Sequence, residues 1–366
     1  MYTDRQRRLM ERQREKGLGC IALVPGPNMR YLSGLPLFMS ERPVVAFFCA
    51  DGRAAAVVPA LELGRTRAIA GDGLSLYPYT DEEGHEAAFK ALAESLDLDG
   101  RRCAVEYLHM RALELRELER AAPHAQFVSL EEELPGLRAV KDQHEIDAIR
   151  SAIEITERAL HQLIAQPLLG LSERQIAARL EQEMRAAGAD SVAFLIVVGG
   201  PNSADPHAEP SERALQRGDF LTIDCGVTKD GYLSDITRTF VLAEAKPEMT
   251  ALYETVRRAN DAGRRAVRAG VPAQLVDRAA RSVITEAGYG EQFVHRTGHG
   301  LGMEVHEPPY IVERNAQPLQ SGMVFTIEPG IYLPGLGGVR IEDNVVVTAE
   351  GSECLTGFPR ELLVVS

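Results

Sequence analysis

Up to about residue 135, short apolar runs alternate with amphipathic segments. The runs GCIALV, VVAFFCA, RAAAVVPA, RCAVEY and QFVSL have the composition of buried strands. Between them, GHEAAFKALAESL and MRALELRELERAA have the spacing of apolar residues that is typical of helices with one buried face. This alternation predicts an α/β domain over residues 1–135, in which helices pack on a mixed sheet.

The pattern changes within LPGLRAVKDQHEIDAIRSA. Pro135 and Gly136 interrupt regular structure, and a long amphipathic helix is predicted to begin near Asp142. We therefore predict a second domain over residues 136–366.

The second domain contains an internal repeat of helices. SERQIAARLEQEMRAA lies between Gly170 and Gly188, and PAQLVDRAARSVITEA lies 100 residues later, between Gly270 and Gly288. Each of these helices is preceded by a longer predicted helix, at about 142–165 and 247–269, and followed by a predicted strand pair. The equal spacing of the two glycine pairs predicts two helix–helix–hairpin halves that are related by a pseudo-twofold axis.

The strand pair of the first half carries two carboxylates. FLTIDCG and ITRTFVL are predicted strands, and Asp230-Gly231 between them is a tight-turn signal. A turn centred on these two residues would make Asp224 and Asp235 diagonal neighbours, whereas a turn centred on Lys229-Asp230 would place them directly opposite each other. Both registers point the two carboxylates to the same face, because strand side chains alternate with a period of two.

The strand pair of the second half repeats this arrangement. MVFTIEPG and GVRIEDNVVVT are predicted strands joined by a glycine-rich loop, and Glu328 and Glu342 are an even 14 residues apart. His295 and His299 lie in HRTGHGLGMEVHE, where the density of glycine disfavours a helix. A strand or an irregular segment would place both imidazoles on one face.

Together these segments offer four carboxylates and one imidazole in an order that suggests a metal centre. Burying unpaired carboxylates costs several kcal/mol each, and two divalent cations would neutralise four of them. The predicted ligands are Asp224, Asp235, His299, Glu328 and Glu342. An oxygen-rich set with one imidazole favours Mn²⁺, with Co²⁺, Zn²⁺ and Fe²⁺ as alternatives. Two such ions about 3.5–4 Å apart can share a water molecule and lower its pKa toward neutrality.

Composition narrows the classes of partner. The chain has 366 residues, of which 45% are hydrophobic, and a formal net charge of −13. This acidic balance argues against a nucleic-acid partner, which requires a basic surface. The basic segment TDRQRRLMERQREKG is predicted to be an exposed helix rather than a targeting peptide, because no apolar run follows it within the first seventeen residues. No stretch approaches the roughly 20 apolar residues that span a bilayer, so we expect no membrane association.

The cysteines predict a reducing compartment. They are scattered, odd in number and contain no CxxC pair. We therefore expect buried thiols in a cytoplasmic protein, without a disulfide or a zinc–thiolate site. The five residues are Cys20, Cys49, Cys103, Cys225 and Cys354.

The motifs D-x10-D, GHGLGMEVHE, IEPGIY and VRIEDN together resemble the signature of the metallopeptidases with the pita-bread fold, which include methionine aminopeptidase, aminopeptidase P and prolidase. The resemblance covers roughly residues 140–366 and, more weakly, the chain before it. It implies a pita-bread catalytic domain in which Asp235 and Glu342 bridge two metals. Asp224 would hold one metal, and His299 with Glu328 the other.

The same resemblance implies further roles. Glu328 would take the proton from the attacking water, a task that needs a carboxylate within hydrogen-bond reach. His207 and His306 would donate to the oxygen of the scissile peptide and to the amide beyond it. For a histidine in an apolar neighbourhood, the alternative is a core residue with satisfied hydrogen bonds.

Three more residues are predicted to face the substrate. His295 shares the face of the metal-binding histidine. Arg340 would orient the substrate or a ligand carboxylate by bidentate contact, or would serve as an ion-pair partner of the acidic centre. Tyr232 would contact the substrate or pack in the core.

LVPGPNMRYLSGLP is similar to the N-terminal domain of creatinase, prolidase and aminopeptidase P. Creatinase does not keep the metal ligands, so the resemblance implies hydrolysis of the bond between any residue and proline. Such bonds need a dedicated pocket because proline lacks the N–H and fixes φ. We predict an Xaa-Pro dipeptidase that acts on small proline-containing peptides, with aminopeptidase P, a non-peptide amidohydrolase such as an ectoine hydrolase, and a non-catalytic binding module as alternatives. We also expect a homodimer whose N-terminal domains narrow each other's substrate entrance.

Overall fold

The computed structural model describes residues 2–366 and divides the chain into two compact units, one extending to Arg138 and the other spanning Ala139–Ser366. The helices of the first unit are α1 (Tyr2–Glu15), α2 (Pro27–Ser33), α3 (Leu63–Ala70), α4 (Glu86–Ser95), α5 (Ala112–Ala121) and α6 (Leu130–Glu133). Its strands are β1 (Cys20–Leu23), β2 (Val45–Cys49), β3 (Ala54–Pro59), β4 (Ser75–Tyr79), β5 (Arg102–Val105) and β6 (Gln126–Ser129).

The strands of the first unit form one mixed sheet in the order β4-β3-β2-β1-β5-β6. β1, β2 and β3 are antiparallel neighbours, whereas the outer pairs are parallel. Phe47 and Val57 of the sheet are fully buried in one cluster with Leu92 of α4 and Leu118 of α5. The predicted α/β domain with helices packed on a mixed sheet is confirmed.

One prediction about the cysteines is wrong. Cys20 of β1 lies directly opposite Cys49 of β2, with their Cα atoms 3.9 Å apart, and the two sulfurs form a disulfide. Cys103 and Cys225 are buried free thiols, as predicted, whereas Cys354 is a free thiol that is only partly buried. The disulfide arises from strand pairing, which joins residues 29 positions apart and leaves no spacing motif in the sequence.

The second unit contains the repeated helices and the candidate metal ligands. Its helices are α7 (Gln143–Ile164), α8 (Glu173–Ala186), α9 (Pro247–Ala266) and α10 (Ala273–Glu286). Its strands are β7 (Ser191–Gly199), β8 (Phe220–Lys229), β9 (Tyr232–Leu233), β10 (Ile236–Leu242), β11 (Gly298–Gly300), β12 (Glu307–Ile311), β13 (Val324–Ile327), β14 (Gly330–Leu333), β15 (Gly337–Arg340), β16 (Asp343–Val347), β17 (Ser352–Cys354) and β18 (Val364–Val365).

The predicted repeat is present in this unit. α7 and α8 precede the hairpin of β8 and β10, and α9 and α10 precede the strands β13 and β16. Gly170 and Gly270 adopt matching positive φ angles of 84° and 83° in the two helix–helix connections. The buried apolar side chains of α7 and α8 pack with β8, and those of α10 pack with β13 and β16. Those of α9 pack with β14 and β15 and also with the ends of β8 and β10.

The first hairpin has one of the two predicted registers. Asp230 and Gly231 both have positive φ, as the tight hairpin turn requires, and Asp224 pairs with Thr237. Asp224 and Asp235 are therefore diagonal neighbours, and the alternative turn at Lys229-Asp230 is wrong. β8 and β10 belong to a sheet of order β18-β10-β8-β7, with β9 paired to β8.

The second hairpin departs from the prediction of two continuous strands. β13 pairs with β16 in the sheet β12-β11-β13-β16-β17, whereas β14 and β15 form a separate two-stranded sheet in the same register. This register sets Glu328 opposite Glu342 at the break. The backbone N–H groups of these two residues donate to Thr297 O (2.8 Å) and Thr237 O (3.1 Å) instead of to each other's strand. Pro329, which has no N–H, follows Glu328.

Within residues 2–366, no helix is both long and apolar enough to cross a membrane.

Candidate metal centre

A cavity of about 610 Å³ brings the two carboxylate pairs together. All five predicted metal ligands line it, namely Asp224, Asp235, His299, Glu328 and Glu342. The other lining residues are Phe194, Ile196, Pro206, His207, His295, Arg296, Val305, His306 and Arg340. The first hairpin thus contributes two carboxylates, and the break in the second hairpin contributes the other two.

The ligand atoms form a tight, buried cluster around His299. Its Nε2 lies 3.2 Å from Glu328 Oε1 and 3.6 Å from Asp235 Oδ2. One ligand atom each from Asp235, His299 and Glu342 lies within 4.8 Å of the other two. The Nδ1 of His299 is 3.2 Å from the carbonyl oxygen of Gly300, so Nδ1–H donates there and the Nε2 lone pair faces the cluster. This is the tautomer that a metal ligand requires.

Hydroxyl groups orient the two glutamates. The Oγ1 of Thr237 donates to Glu342 Oε2 at 2.6 Å, and the Oγ1 of Thr326 donates to Glu328 Oε1 at 3.2 Å. Both threonines are fully buried. Each hydroxyl therefore fixes the rotation of a carboxylate that would otherwise have few partners.

Two carboxylate oxygens in the cavity wall are left without a donor. Asp224 Oδ1 and Glu342 Oε1 are buried and accept no hydrogen bond from the part of the chain that the structure describes. A buried, unsatisfied charged oxygen costs more than the roughly 1–3 kcal/mol of a neutral group. These two atoms fit a cation, and the oxygen-rich donor set with one imidazole suits a divalent metal ion.

The pKa values of the clustered carboxyl groups reflect the same crowding of negative charge. Burial, followed by repulsion from the neighbouring carboxylates, raises the pKa of Asp235 and that of Glu342 well above their ordinary values. Burial would also raise the pKa of Glu328, but in the metal-free protein a protonated His299, through its hydrogen bond and charge and together with His295 and Arg340, outweighs burial and lowers this pKa to about 2. The protein alone therefore does not stabilise four ionised carboxylates, and divalent cations would.

The two predicted catalytic histidines stand at the edge of the cluster. The ring of His306 is 4.1 Å from that of His299, centroid to centroid, and burial with the nearby His299 and Arg296 lowers its pKa to about 4. His207 is exposed on a loop, where its backbone N–H donates to Asp205 Oδ1 at 3.0 Å. Both side chains line the cavity and are available to a bound molecule.

His295 lines the cavity but has no ring nitrogen left for a substrate. Arg340 Nη1 donates to the hydroxyl of Tyr332 at 2.7 Å, so that hydroxyl donates its own proton to His295 Nε2 at 2.8 Å. The Nδ1–H of His295 then donates to the carbonyl of Arg296 at 2.7 Å. Burial lowers the pKa of His295 and raises that of Tyr332 to about 12. Any contact of His295 with a substrate is therefore through the ring.

Arg340 and Tyr232 each have contacts that fit one of the alternatives left open by the sequence. Arg340 contacts Asp224 Oδ2 through Nη2 alone, at 2.6 Å, and its other nitrogens donate to Tyr332 and to Thr237. It orients a ligand carboxylate, but the contact is not bidentate. Tyr232 is buried, donates to Glu145 Oε1 at 3.0 Å and is not among the residues that line the cavity. It takes the packing role rather than the substrate contact.

Three residues that line the cavity were not predicted from the sequence, namely Arg296 and the apolar pair Phe194 and Ile196. The two apolar residues are two positions apart on β7, so the alternation of the strand would have placed them on one face. Arg296 lies three residues before His299, and its guanidinium carbon is 4.8 Å from the centroid of the Tyr310 ring. Within residues 2–366, no carboxylate lies at ion-pairing distance from Arg296.

A buried set of carboxylates and one histidine, flanked by further histidines in a cavity, is the site of a metal-dependent hydrolase. Residues 147–349 match the model of metallopeptidase family M24, and residues 5–140 match that of the creatinase/prolidase N-terminal domain. The chain belongs to metallopeptidase family M24, and the creatinase-like domain followed by the pita-bread domain is confirmed.

Similar proteins carry related names. A crystal structure of dipeptidase PepE from Mycobacterium ulcerans has a TM-score of 0.93 and 39% identity, and the match covers 100% of this chain and 98% of that one. The Xaa-Pro dipeptidase of Pyrococcus horikoshii is 33% identical over 366 residues, or 99% of each chain. The X-Pro aminopeptidase of Thermotoga maritima has a TM-score of 0.86 and 33% identity, with coverage of 98% and 99%.

Proposed function

We propose that this metallopeptidase is an Xaa-Pro dipeptidase that uses two Mn²⁺ ions. The observation that carries the proposal is the pair of orphaned oxygens, Asp224 Oδ1 and Glu342 Oε1, in the same wall as the cluster of Asp235, His299 and Glu328. The Xaa-Pro dipeptidase and dipeptidase PepE to which the chain is similar support the substrate class.

The proposed ligands divide between the two ions. Asp235 and Glu342 would bridge them, Asp224 would hold one, and His299 with Glu328 the other. When bound, the ions would supply Lewis acidity that activates a water molecule and polarises the scissile carbonyl.

The remaining chemistry belongs to side chains of the protein. Glu328 accepts the proton of the attacking water, because its carboxylate lines the cavity beside His299, within reach of a molecule bound there. His207 and His306, on the cavity wall, donate to the oxygen of the scissile peptide and to the amide beyond it. Arg340 holds Asp224 in orientation, and the ring of His295 contacts the substrate.

The preference for dipeptides rests on Arg296. A dipeptide places its free carboxylate next to the proline ring, whereas a longer peptide places an uncharged amide there. Arg296 is a cation in the cavity wall, held against the face of Tyr310 and without an acidic partner among the described residues. A guanidinium fork matches a carboxylate in charge and in geometry, so we assign Arg296 to the free carboxylate of the substrate.

The test compares an Xaa-Pro dipeptide with its C-terminal amide and with an Xaa-Pro-Xaa tripeptide, in metal-free buffer with Mn²⁺ added back. We expect Mn²⁺ to restore cleavage, the dipeptide to be the best substrate, and Arg296→Gln to raise its KM by about tenfold or more without affecting the amide. Arg268→Gln, a change of an exposed arginine that does not line the cavity, is the control.

Other results would assign other functions. Equal or faster cleavage of the tripeptide would identify an Xaa-Pro aminopeptidase. Hydrolysis of ectoine-type amides in the absence of Xaa-Pro cleavage would identify a non-peptide amidohydrolase. Metal binding without hydrolysis of any of these compounds would indicate a binding module.

The assembly and location are proposals as well. We propose a homodimer in which the N-terminal domain of each subunit, residues 1–135, narrows the substrate entrance of the partner's domain of residues 136–366, which carries all the proposed ligands. Light scattering that gives the mass of one chain would refute the dimer. The proposed absence of nucleic-acid and membrane partners rests on the composition. The proposed cytoplasmic location also rests on the composition, because the Cys20–Cys49 disulfide weakens the argument from reduced cysteines.

A further inference from the structure

An excess of arginine surrounds one buried carboxylate next to the metal-site strand. Asp343 is fully buried, and its Oδ1 lies 2.8 Å from Arg238 Nη2. Its Oδ2 lies 3.2 Å from Arg264 Nη1 and 3.7 Å from Arg360 Nε. Three guanidinium groups therefore share one carboxylate, and Arg238 alone, itself fully buried, balances the charge of Asp343.

Two of these arginines continue into a cleft of about 340 Å³, separate from the metal cavity. Arg264, Arg265 and Arg360 line the cleft, together with Asp261 and Ser352. Asp261 is the acidic residue among these lining groups, so two of the three lining positive charges have no counter-charge in the cleft wall. One of its oxygens contacts Arg360 and the other lies 3.3 Å from Arg257.

The guanidinium donors in this cleft are largely unused. Arg265 is exposed, and no carboxylate or carbonyl in the described part of the chain accepts from it. Arg264 donates through Nη1 alone, and Nη2 of Arg360 has no acceptor among residues 2–366. Each of these nitrogens retains N–H groups that a ligand can engage.

The surrounding helix adds to the positive field. The second half of α9 and the turn after it, RRANDAGRRAVRAG, contain five arginines and one aspartate, although the whole chain has a net charge of −13. A local positive potential of this kind attracts small anions to a concave site. The carboxylates of the metal centre do not neutralise this positive charge, because they line the other cavity.

We propose that this cleft binds a phosphate-type dianion, either free phosphate or the terminal group of a small phosphate ester. The two unbalanced positive charges match a dianion, and planar guanidinium forks match phosphate oxygens in geometry. The volume is at the small end of the range for ligand pockets, which suits a phosphate group rather than a polymer. The assignment does not depend on the peptidase substrate.

The test is calorimetric titration of the metal-loaded protein with inorganic phosphate and, in a second arm, with adenosine monophosphate. Ionic strength is held constant with sodium chloride. We expect binding at millimolar ligand or below, and Arg265→Gln should weaken it by about tenfold because charge-assisted hydrogen bonds are lost. Arg265 has an exposed side chain, so this variant should fold, which circular dichroism will check.

Arg258→Gln is the matched control, since it removes the same charge from the same helix at an exposed position outside the cleft. Its binding should equal that of the unchanged protein. Equal losses in the two variants would show diffuse electrostatics and overturn the proposal, as would the absence of binding heat. Binding that neither variant weakens, and that competes with peptide cleavage, would place phosphate at the metal centre and also overturn it. Tighter binding of the nucleotide would identify an ester as the ligand.

Discussion

The hydroxyl of Thr237 offers the sharpest test of how the protein tunes the metal centre. It donates to Glu342 Oε2 at 2.6 Å and accepts from Arg340 Nε at 3.1 Å, so one buried oxygen holds a proposed bridging ligand and the arginine that orients Asp224. Thr237→Val keeps the shape of the side chain and removes both hydrogen bonds. Neither partner gains a replacement from water, because the residue is fully buried.

The expected loss follows from these contacts. A hydrogen bond to a charged group contributes about 1.5–3 kcal/mol, and loss of a partner that orients a metal ligand weakens metal binding about 10- to 100-fold, which is about 1.4–2.7 kcal/mol. The assay is equilibrium dialysis against Mn²⁺ with elemental analysis, together with the Mn²⁺ dependence of dipeptide cleavage. Cleavage at saturating Mn²⁺ should recover most of its rate, since Glu342 itself is retained.

Thr222→Val is the control for this prediction. Its hydroxyl is also buried in the same sheet, but it contacts Thr239 Oγ1 and the carbonyl of Gly338 rather than a carboxylate. Both variants should lose stability to urea, and Thr237→Val alone should lose Mn²⁺ affinity. Unchanged Mn²⁺ affinity in Thr237→Val, or an equal loss in the control, would refute the reasoning.

Three further predictions concern the centre and its support. Asp235→Ala or Glu342→Ala should abolish Mn²⁺-dependent hydrolysis with an unchanged circular dichroism spectrum, and fewer than one metal per chain in the Mn²⁺-loaded parent protein would contradict the dinuclear site. His207→Ala should lower kcat by about 10²- to 10⁴-fold without loss of metal, and an unchanged kcat would exclude its acid–base role. Arg238→Met should lower the free energy of unfolding in urea by about 3 kcal/mol, because it leaves a buried carboxylate short of a partner, whereas Arg150→Met, at a surface ion pair, should cost less than about 1 kcal/mol.

The sequence could predict the first hairpin in detail because its signals are local. Asp230-Gly231 favours the positive φ angles of the turn, and the turn fixes the register that makes Asp224 and Asp235 diagonal neighbours. The start of α7 after Asp142 was predictable for the same reason, since the capping aspartate and its reciprocal glutamate lie three residues apart.

The second hairpin could be predicted only in part. Its even spacing correctly aligns Glu328 with Glu342, but the break between β13 and β14 depends on acceptors in other strands, at Thr297 and Thr237. No local sequence pattern shows that these two carbonyl groups lie within hydrogen-bonding distance of the N–H groups of Glu328 and Glu342. Pro329 was the one local sign that the ladder could not continue.

Long-range packing also decided the role of Tyr232, which the sequence left open, and the pairing of two cysteines, which was predicted wrongly. Tyr232 and Asp235 are close in sequence, yet the tyrosine side chain donates a hydrogen bond to Glu145 in α7 and does not line the cavity. Cys20 and Cys49 meet because β1 and β2 pair in one particular register. In both cases the sequence contains the residue types and leaves their partners undetermined.

The division of the proposed ligands between the two halves constrains when the proposed metal centre can be completed. Asp224 and Asp235 come from the first hairpin, and the last carboxylate, Glu342, comes more than 100 residues later. The sheet of the first hairpin is itself completed by β18, which pairs alongside β10. A chain emerging from the ribosome therefore cannot assemble the full ligand set until residue 342 has been synthesised. Complete assembly of the proposed metal centre would therefore follow the synthesis of residue 342, and chains truncated before that point would lack part of the proposed ligand set.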